Sequence, residues 1–237
     1  MKRVLLILQL LWLCGCGVAD GVDVTVTNPS SYARTLESVE IAWTELEKRG
    51  ITAEQVIVED EQHNQIPSQV IFDKGGVAQR LLFQASVEAS GKSRYKIKRG
   101  VADTYEAKVY GRYVPERLDD YAWENNLTAY RIYGPRLSDP KTQGVDVWVK
   151  NTEKLIINEW FARNDYHHNY GEGMDCYKVG NTLGGGALAV VQNSQLLLSG
   201  NYQSQECVAN GPLRTEAEFV YAPIEVDGHD VAIKRRI

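Results

Sequence analysis

The sequence predicts an all-β protein built as a large antiparallel β-sandwich. Short segments with alternating apolar and polar residues recur along the chain, and the first of them covers residues 22–28. Clusters of turn-forming residues separate these segments, for example at 73–76 and 90–92. Frequent short strands divided by turns are typical of antiparallel sandwiches and not of strands that alternate with helices in a parallel sheet.

Six strands are predicted in the first hundred residues. Each combines apolar alternation or a short apolar run with turn-forming residues nearby. They cover residues 22–28, 36–41, 56–58, 69–72, 80–83 and 95–98. His63 lies in one of the intervening turns, where we expect a solvated side chain and not a ligand.

The second half of the chain adds further strands and one helix. The strands are predicted at 105–114, 127–133, 144–149, 196–198, 202–208, 213–221 and 231–237, with a polar segment at 116–125. Between 153 and 163 the spacing of Leu155, Ile156, Trp160 and Phe161 predicts a short helix. The chain ends on an alternating strand with no turn after it. We therefore expect a sandwich domain over 22–237 that is incomplete at its C-terminal end.

Composition and charge argue against one class of partner. The hydrophobic fraction of 43% and the charged fraction of 24% are ordinary for a soluble globular protein. The formal net charge is -5, and Lys and Arg cluster only at 234–236. Nucleic acids are bound through clustered basic side chains that neutralise phosphates. We therefore expect no nucleic-acid partner.

Residues 1–16 are predicted to be an export signal and not part of the fold. Lys2 and Arg3 precede an apolar run at 4–13 that is too short to span a bilayer comfortably. These features fit a simple secretory protein as well as a lipoprotein. Residues 17–21 would form a short tether ahead of the sandwich domain.

The segment from 160 to 180 concentrates groups that can take part in catalysis. It contains two of the four histidines, and its glycines bend the chain so that side chains can converge. Loops held on a rigid scaffold are where function concentrates, although a plain surface connection is also polar. The candidate side chains are Asp165, Tyr166, His167, His168, Tyr170, Glu172, Asp175, Tyr177 and Lys178.

Two cysteines, Cys176 and Cys207, lie outside the leader. Export would permit a disulfide between them, and buried thiols are the alternative. Neither belongs to a Cys-x-x-Cys or Cys/His pattern typical of zinc sites. Glu172 and Asp175 offer too few carboxylates for a calcium site, so we expect neither a metal nor a cofactor.

Several segments together resemble a bacterial family known by its domain of unknown function, DUF4861. The two longest read GRYVPERLDDYAWEN at 111–125 and GEGMDCYKVG at 171–180. Shorter matches lie at 26–29, 67–70, 130–135, 146–149 and 210–214. Cys176 stands where the family has an aromatic residue, and His167-His168-Asn169 departs from the usual order of His, Glu, Asp and His. Which histidine has the family role is therefore open.

The resemblance implies an exported protein of polysaccharide-degrading bacteria. It identifies residues 13–16 as a lipobox, with lipidation of Cys16 and an outer-membrane location facing the periplasm or the cell surface. It also implies a galactose-mutarotase-like supersandwich, of which this chain would be the N-terminal part. The implied activity is that of a lyase or dehydratase on uronate-containing oligosaccharides. The expected partners are an acidic oligosaccharide or polysaccharide and, through the lipid anchor, the membrane.

Elimination of water from a uronate requires a base, a positive group that stabilises the enolate, and an acid for the departing hydroxyl. His168 is the predicted base and His167 the alternative, because imidazole titrates near neutral pH. Tyr177 or Tyr166 would supply the proton. Arginines suit the sugar carboxylate and an aromatic face suits the sugar ring. The predicted substrate-binding residues are Arg117, Trp123, Glu124, Asn125, Arg131, Glu172, Asp175 and Lys178.

Two other functions fit the same residues. A glycan-binding lipoprotein needs only the aromatic and basic groups, and a glycoside hydrolase would use a pair of carboxylates. Arg117 also has a structural alternative, an ion pair with Asp119 or Asp120, and Trp123 could belong to the core. The enzymatic hypothesis requires the loop at 165–178 to face the turn near Trp123 across an open concavity.

Overall fold

The computed structural model describes residues 21–137 and 144–237. The predicted signal peptide, Cys16 and most of the tether therefore lie outside the described residues. The described chain forms antiparallel sheets with little helix, which confirms the all-β prediction. It divides into two compact units, one ending at Glu106 and the other Ala107–Ile237, where we expected one sandwich domain. No helix in the described ranges is long and apolar enough to cross a membrane.

The first unit is a sandwich of two antiparallel sheets. Its elements are β1 (Val22–Thr27), β2 (Arg34–Ala42), α1 (Trp43–Glu47), β3 (Ile57–Glu59), β4 (Gln65–Ile66), β5 (Ser68–Phe72), β6 (Ala78–Val87) and β7 (Lys92–Lys98). One sheet has the order β1-β7-β3-β4 and the other β2-β6-β5. Val24 and Ile97 of the first sheet share a buried cluster with Val39 and Phe83 of the second, and Trp43 of α1 joins it. The alternation that predicts the strands thus supplies the core between the sheets.

The second unit is built around a five-stranded antiparallel sheet. Its elements are β8 (Val109–Val114), β9 (Asp120–Asn125), β10 (Thr128–Ile132), β11 (Val145–Lys150), α2 (Ile157–Arg163), β12 (Gly173–Met174), β13 (Ala189–Gln192), β14 (Gln195–Leu198), β15 (Ser204–Asn210), β16 (Thr215–Val220), β17 (Ile224–Val226), β18 (His229–Val231) and β19 (Lys234–Arg236). The large sheet has the order β12-β11-β10-β9-β8, and a second sheet has the order β15-β16-β19. Two hairpins, β13-β14 and β17-β18, complete the described part of the unit.

The five-stranded sheet is covered on both sides. On one side, which we call the helix face, Ala122 and Trp148 pack against α2. On the other, which we call the sheet face, Tyr121 and Ile132 pack against Phe219 of the three-stranded sheet. Because side chains alternate along a strand, every second residue of β9, β10 and β11 points to the helix face.

The polar segment at 116–125 is a strand for most of its length. A 3-10 turn at Pro115–Arg117 precedes it, and β9 follows. Asp120 and Glu124 point to the helix face and are almost fully buried. The alternation of apolar and polar residues does not predict this strand, because charged residues occupy two of its buried positions.

The predicted helix at 153–163 begins only at Ile157, and the short α1 is an addition to the predicted elements. Glu124 explains where α2 starts. Its carboxylate accepts the N–H groups of Ile156 (2.9 Å) and Ile157 (2.8 Å) and pairs with Lys150 Nζ at 2.7 Å. A carboxylate at this end satisfies backbone donors that have no partner within the helix. The helix ends where Asn164 adopts a left-handed conformation with φ 53°.

Candidate active site on the helix face

A buried arginine, Arg131, is the centre of the candidate site. It lies on β10 opposite Asp146 of β11, and its side chain is only 3% exposed. Its Nη2 atom is 2.5 Å from Asp146 Oδ2 and 3.2 Å from Asp175 Oδ2. The indole N–H of Trp148 also donates to Asp146 Oδ2, with an Nε1–Oδ2 distance of 3.0 Å. A buried cation needs such partners because an uncompensated charge in the interior is strongly destabilising.

Three aromatic rings surround the Arg131 guanidinium. Its central carbon is 4.8 Å from the ring centroid of Tyr133, 5.2 Å from that of Tyr166 and 5.4 Å from that of Trp148. Both phenol oxygens accept its N–H groups, at 3.1 Å for Tyr166 and 3.3 Å for Tyr133. Burial alone would lower the pKa of Arg131, but the Asp146 carboxylate and the two phenols raise it. The guanidinium is therefore a fixed positive charge.

The loop that follows α2 brings Tyr166 and Asp175 to Arg131. The backbone N–H of Asp175 donates to the Tyr166 carbonyl at 2.7 Å, which ties the two ends of the loop together. Gly173 allows the return to the sheet. It has φ +112°, and a side chain there would overlap the Val149 carbonyl oxygen of β11.

His167 connects this buried cluster to solvent. Its Nδ1 atom is 3.4 Å from Asp175 Oδ2 and 3.1 Å from the Asp175 carbonyl oxygen, while its side chain is 68% exposed. A carbonyl oxygen only accepts hydrogen bonds, so this contact favours the tautomer with the proton on Nδ1. Nε2 is then the basic nitrogen, and the Asp175 carbonyl orients the ring from its other side with the Asp175 carboxylate close by.

The turn before β9 adds Arg117 and Asp120 to the cluster. Arg117 Nε donates to the Tyr166 hydroxyl at 3.3 Å, and Asp120 Oδ1 accepts the backbone N–H of Gly134 at 2.9 Å. Asp120 Oδ2 is 3.8 Å from Arg117 Nη1 and 3.9 Å from Arg131 Nε. These two distances allow electrostatic attraction but exceed the length of a hydrogen bond.

Two of the carboxyl groups titrate close to neutral pH. Burial raises the pKa of Asp120 to about 6, against the opposing charges of Arg131 and Arg117. Burial also raises the pKa of Asp175 to about 6, and the negative charge of Asp146 adds to this effect. Groups whose pKa lies near the working pH are the ones suited to proton transfer.

An open cleft of about 470 Å³ lies against this cluster. Arg117 and Lys178 give its wall positive charge, and the 41% exposed Tyr177 adds a phenol. The lining residues are Arg117, Arg131, Tyr133, His167, Asp175, Cys176, Tyr177, Lys178, Val179 and Gly180. All of them except Tyr133, Cys176, Val179 and Gly180 were predicted to belong to the site from the sequence, and Tyr166 contacts the cluster from the helix face.

His168 and Trp123 are two of the predicted residues that do not line the cleft. His168, the first choice for the base, is exposed and has its ring against Tyr170, with 4.6 Å between the centroids. Trp123 points to the sheet face, where it stacks on Tyr130 with 5.2 Å between the centroids. The prediction that the loop and Trp123 face each other across a concavity is therefore wrong. The loop faces Arg117 and Arg131 instead, because Trp123 points to the opposite side of β9 from Asp120 and Glu124.

Three further predicted residues have structural partners. Both carboxylate oxygens of Glu124 are used by Lys150 and the start of α2. The Asn125 amide oxygen accepts the N–H groups of Leu127 and Thr128, which closes the turn between β9 and β10. Glu172 lies 3.5 Å from Lys154 Nζ and 3.6 Å from Arg163 Nη2, outside the cleft.

The structure adds three residues that sequence reasoning missed, namely Asp120, Asp146 and Tyr133. Asp120 appeared only as an alternative partner for Arg117, and Asp146 only as part of the familial segment 146–149. The strand alternation could have identified the two aspartates. Each lies two positions before an apolar residue that packs on the helix face, Ala122 or Trp148, and therefore points to the same face.

Cys176 and Cys207 are both exposed and unpaired, so they are neither a disulfide nor buried thiols. Within residues 21–137 and 144–237, no group of three or more His, Cys, Asp and Glu side chains is arranged to hold a metal ion. The Arg131 guanidinium instead takes the central place among the carboxylates of the cluster.

Comparison with known proteins agrees with the familial segments of the sequence. The family model described as a domain of unknown function, DUF4861, matches residues 26–237. A relative from Formosa agariphila, named "Uncharacterized protein P7", is 32% identical over 234 aligned residues that cover 90% of this chain. The chain spans 59% of that relative's length. The match to the family model extends over nearly the whole described chain, and the protein therefore belongs to the DUF4861 family.

Proposed function

We propose that this protein takes part in polysaccharide degradation as a lyase, specifically a dehydratase that removes water from uronate-containing oligosaccharides. The observation that supports the proposal most directly is the His167–Asp175 pair on the wall of a cleft that also presents Arg117 and Lys178. A base oriented by a carboxylate next to two cations is what proton abstraction beside a sugar carboxylate requires. Because the chain spans 59% of its relative's length, the activity is proposed for the complete protein.

The residues divide the reaction between them. His167 Nε2 removes the proton from the carbon next to the uronate carboxylate, and Asp175 stabilises the resulting imidazolium. Arg117 and Lys178 pair with the carboxylate, whose negative charge grows as the enolate forms. Tyr177 gives its proton to the departing hydroxyl. The C–H and C–O bonds break, a C=C bond forms, and one water leaves.

The geometry favours particular members of each alternative pair. His167 is preferred to His168 because it lines the cleft and contacts Asp175. Tyr177 is preferred to Tyr166 as the acid, because the Tyr166 ring is buried and its oxygen accepts two guanidinium N–H groups. Arg117 is preferred to Arg131 for the carboxylate, since Arg131 is already paired with buried aspartates.

The test is to incubate the complete protein with uronate-containing oligosaccharides and to measure the loss of one water by mass spectrometry. His167→Gln should lower kcat by roughly 10²- to 10⁴-fold, the usual contribution of a general base. His168→Gln is the matched control, since it changes the neighbouring imidazole, and should remain within about twofold of the wild type. Equal losses in both variants, or no dehydration by the wild type, would contradict the proposal.

A second candidate, glycan binding without catalysis, is favoured by the 68% exposure of the His167 side chain. A base that is so accessible to water lacks the desolvated surroundings in which enzymes strengthen electrostatic effects. This alternative predicts measurable binding of uronate oligosaccharides without any change of mass. It also predicts that His167→Gln keeps the affinity while Arg117→Gln loses it.

We further propose that the protein is exported and anchored in the outer membrane through a lipid on Cys16, facing the periplasm or the cell surface. The leader composition and the family resemblance support this proposal. Cells that express the full chain with labelled palmitate should incorporate the label into the wild type and into Cys14→Ser but not into Cys16→Ser. Labelling of Cys16→Ser would contradict the anchor.

A further inference from the structure

Three buried polar atoms of the Arg131 cluster have no hydrogen-bond partner among the described residues. They are Asp120 Oδ2, Arg117 Nη1 and Arg131 Nε. The carboxylate oxygen is 3.8 Å from the first nitrogen and 3.9 Å from the second. Both distances are too long for an N–H···O hydrogen bond, because a contact of about 3.6 Å or more does not count as one. Leaving charged groups unsatisfied in the interior is costly, so this arrangement points to a bridging group.

The donor and acceptor pattern limits what that group is. The two guanidinium nitrogens only donate, and the carboxylate of Asp120 only accepts when it is ionised. A bridge must therefore accept two hydrogen bonds and donate one. A hydroxyl group does both, whereas a carboxylate or phosphate dianion cannot donate and an ammonium group cannot accept.

The three groups are held in fixed positions by other contacts. Asp120 is fully buried, and its second oxygen is fixed by the N–H of Gly134 at 2.9 Å. Arg131 is held by Asp146 at 2.5 Å, and Arg117 by the Tyr166 hydroxyl at 3.3 Å. The carboxylate and both guanidinium groups are thus oriented before any ligand arrives, as a specific polar site requires.

We propose that Asp120, Arg117 and Arg131 form a binding site for one hydroxyl group of the acidic sugar. Both arginines line the cleft, so a sugar bound there has access to their side of the cluster. The identity of the ligand as a sugar rests on the proposed function, while the hydroxyl chemistry rests on the three atoms alone. Asp120 thereby becomes a residue that determines specificity.

The first measurement is crystallographic and uses the complete wild-type protein with and without D-glucuronic acid. Without the sugar, we expect a water oxygen within hydrogen-bond distance of all three atoms. With the sugar, we expect a sugar hydroxyl to replace it. A water that stays beside the bound sugar, or a cleft without sugar, overturns the sugar assignment. A direct contact between Arg117 and Asp120 with no oxygen between them overturns the site itself.

The second measurement is the affinity for D-glucuronic acid by titration calorimetry at neutral pH. Asp120→Asn puts an amide NH2 group in place of the acceptor, so the bridging hydroxyl faces three donors and its own O–H has no acceptor. The affinity should therefore fall at least about tenfold. Asp119→Asn is the matched control on the neighbouring residue and should stay within about twofold. An unchanged affinity of a folded Asp120→Asn protein overturns the proposal.

The outcome separates this inference from the dehydratase proposal. A hydroxyl in the three-atom site without any loss of water mass upholds the site and contradicts dehydration. Dehydration that proceeds equally well in Asp120→Asn upholds the enzymatic function and overturns the site.

Discussion

The two faces of the five-stranded sheet are formed by the same strands but are stabilised by different interactions. On the sheet face, Tyr121 and Ile132 pack against Phe219, with 5.2 Å between the two ring centroids of the aromatic pair. Such packing gains stability from buried apolar area, at roughly 25 cal/mol per Å². On the helix face, Arg131 and Asp146 are buried as ions, and their attraction must offset a large desolvation cost.

The helix face itself contains two charged clusters, which differ in how fully their polar atoms are hydrogen-bonded. Lys150 and Glu124 are both fully buried, 2.7 Å apart, and the remaining capacity of Glu124 is used by α2. The Arg131 cluster borders the cleft and leaves Asp120 Oδ2 without a hydrogen bond among the described residues. The first cluster holds a helix in place. The second, open and incompletely satisfied, is the arrangement expected of a binding or catalytic site.

The largest effect is expected when the central charge is removed. Arg131→Met keeps the unbranched apolar stem of the side chain but removes the guanidinium and leaves three carboxyl groups facing one another, so the free energy of unfolding should fall by about 3–5 kcal/mol. Ile132→Val, the next residue on the opposite face, should cost only about 1 kcal/mol. Urea unfolding of both variants measures the difference. A smaller loss for Arg131→Met than for Ile132→Val would show that the helix face does not depend on its ion pairs.

The sequence predicts the sheet face far better than the helix face. Alternating apolar residues predict β10 and β11, and the predicted bounds agree with the structure within a few residues. β9 is hidden because Asp120 and Glu124 sit where apolar residues are expected. The direction in which Trp123 points depends on the register of β9, and a shift by one residue would reverse it.

The loop shows a second limit of sequence reasoning. Its composition is enough to identify it as a candidate site, and the structure brings His167, Asp175, Tyr177 and Lys178 to one cleft. The choice between His167 and His168 is different, because adjacent residues of an irregular loop point in directions set by local dihedral angles. Contact with Asp175, eight positions away, decides it, and no periodicity encodes that contact.

An intermediate effect is expected from pH. The pKa of Asp120 and that of Asp175 are raised from 3.8 to about 6 in the folded state, so the folded protein binds these protons more tightly than the unfolded chain. Their stabilising contribution is present below about pH 4 and is lost as the pH rises through about 6, by at most about 3 kcal/mol for each residue. Asp175→Asn should remove its own share, about half, of this loss between pH 4 and pH 7 in chemical unfolding, because Asp120 still titrates.

The control for the pH effect is Asp230→Asn, which changes an exposed aspartate on β18. It should leave the pH dependence of the free energy of unfolding as in the wild type. If Asp175→Asn keeps the full wild-type slope between pH 4 and pH 7, then the buried carboxylates of the helix face do not titrate as described.

The smallest effect is expected on the sheet face, at Trp123. Trp123→Leu removes the ring that stacks on Tyr130, so the free energy of unfolding should fall by about 1 kcal/mol, the usual contribution of an aromatic pair. Because Trp123 points away from the cleft, the affinity of the Trp123→Leu protein for uronate oligosaccharides should stay within about twofold of the wild type. Arg117→Gln should lower the affinity at least about tenfold. A large loss of affinity in Trp123→Leu would mean that sugar binds on the sheet face. The assignment of the two faces, one for packing and one for the ligand, would then have to be reversed.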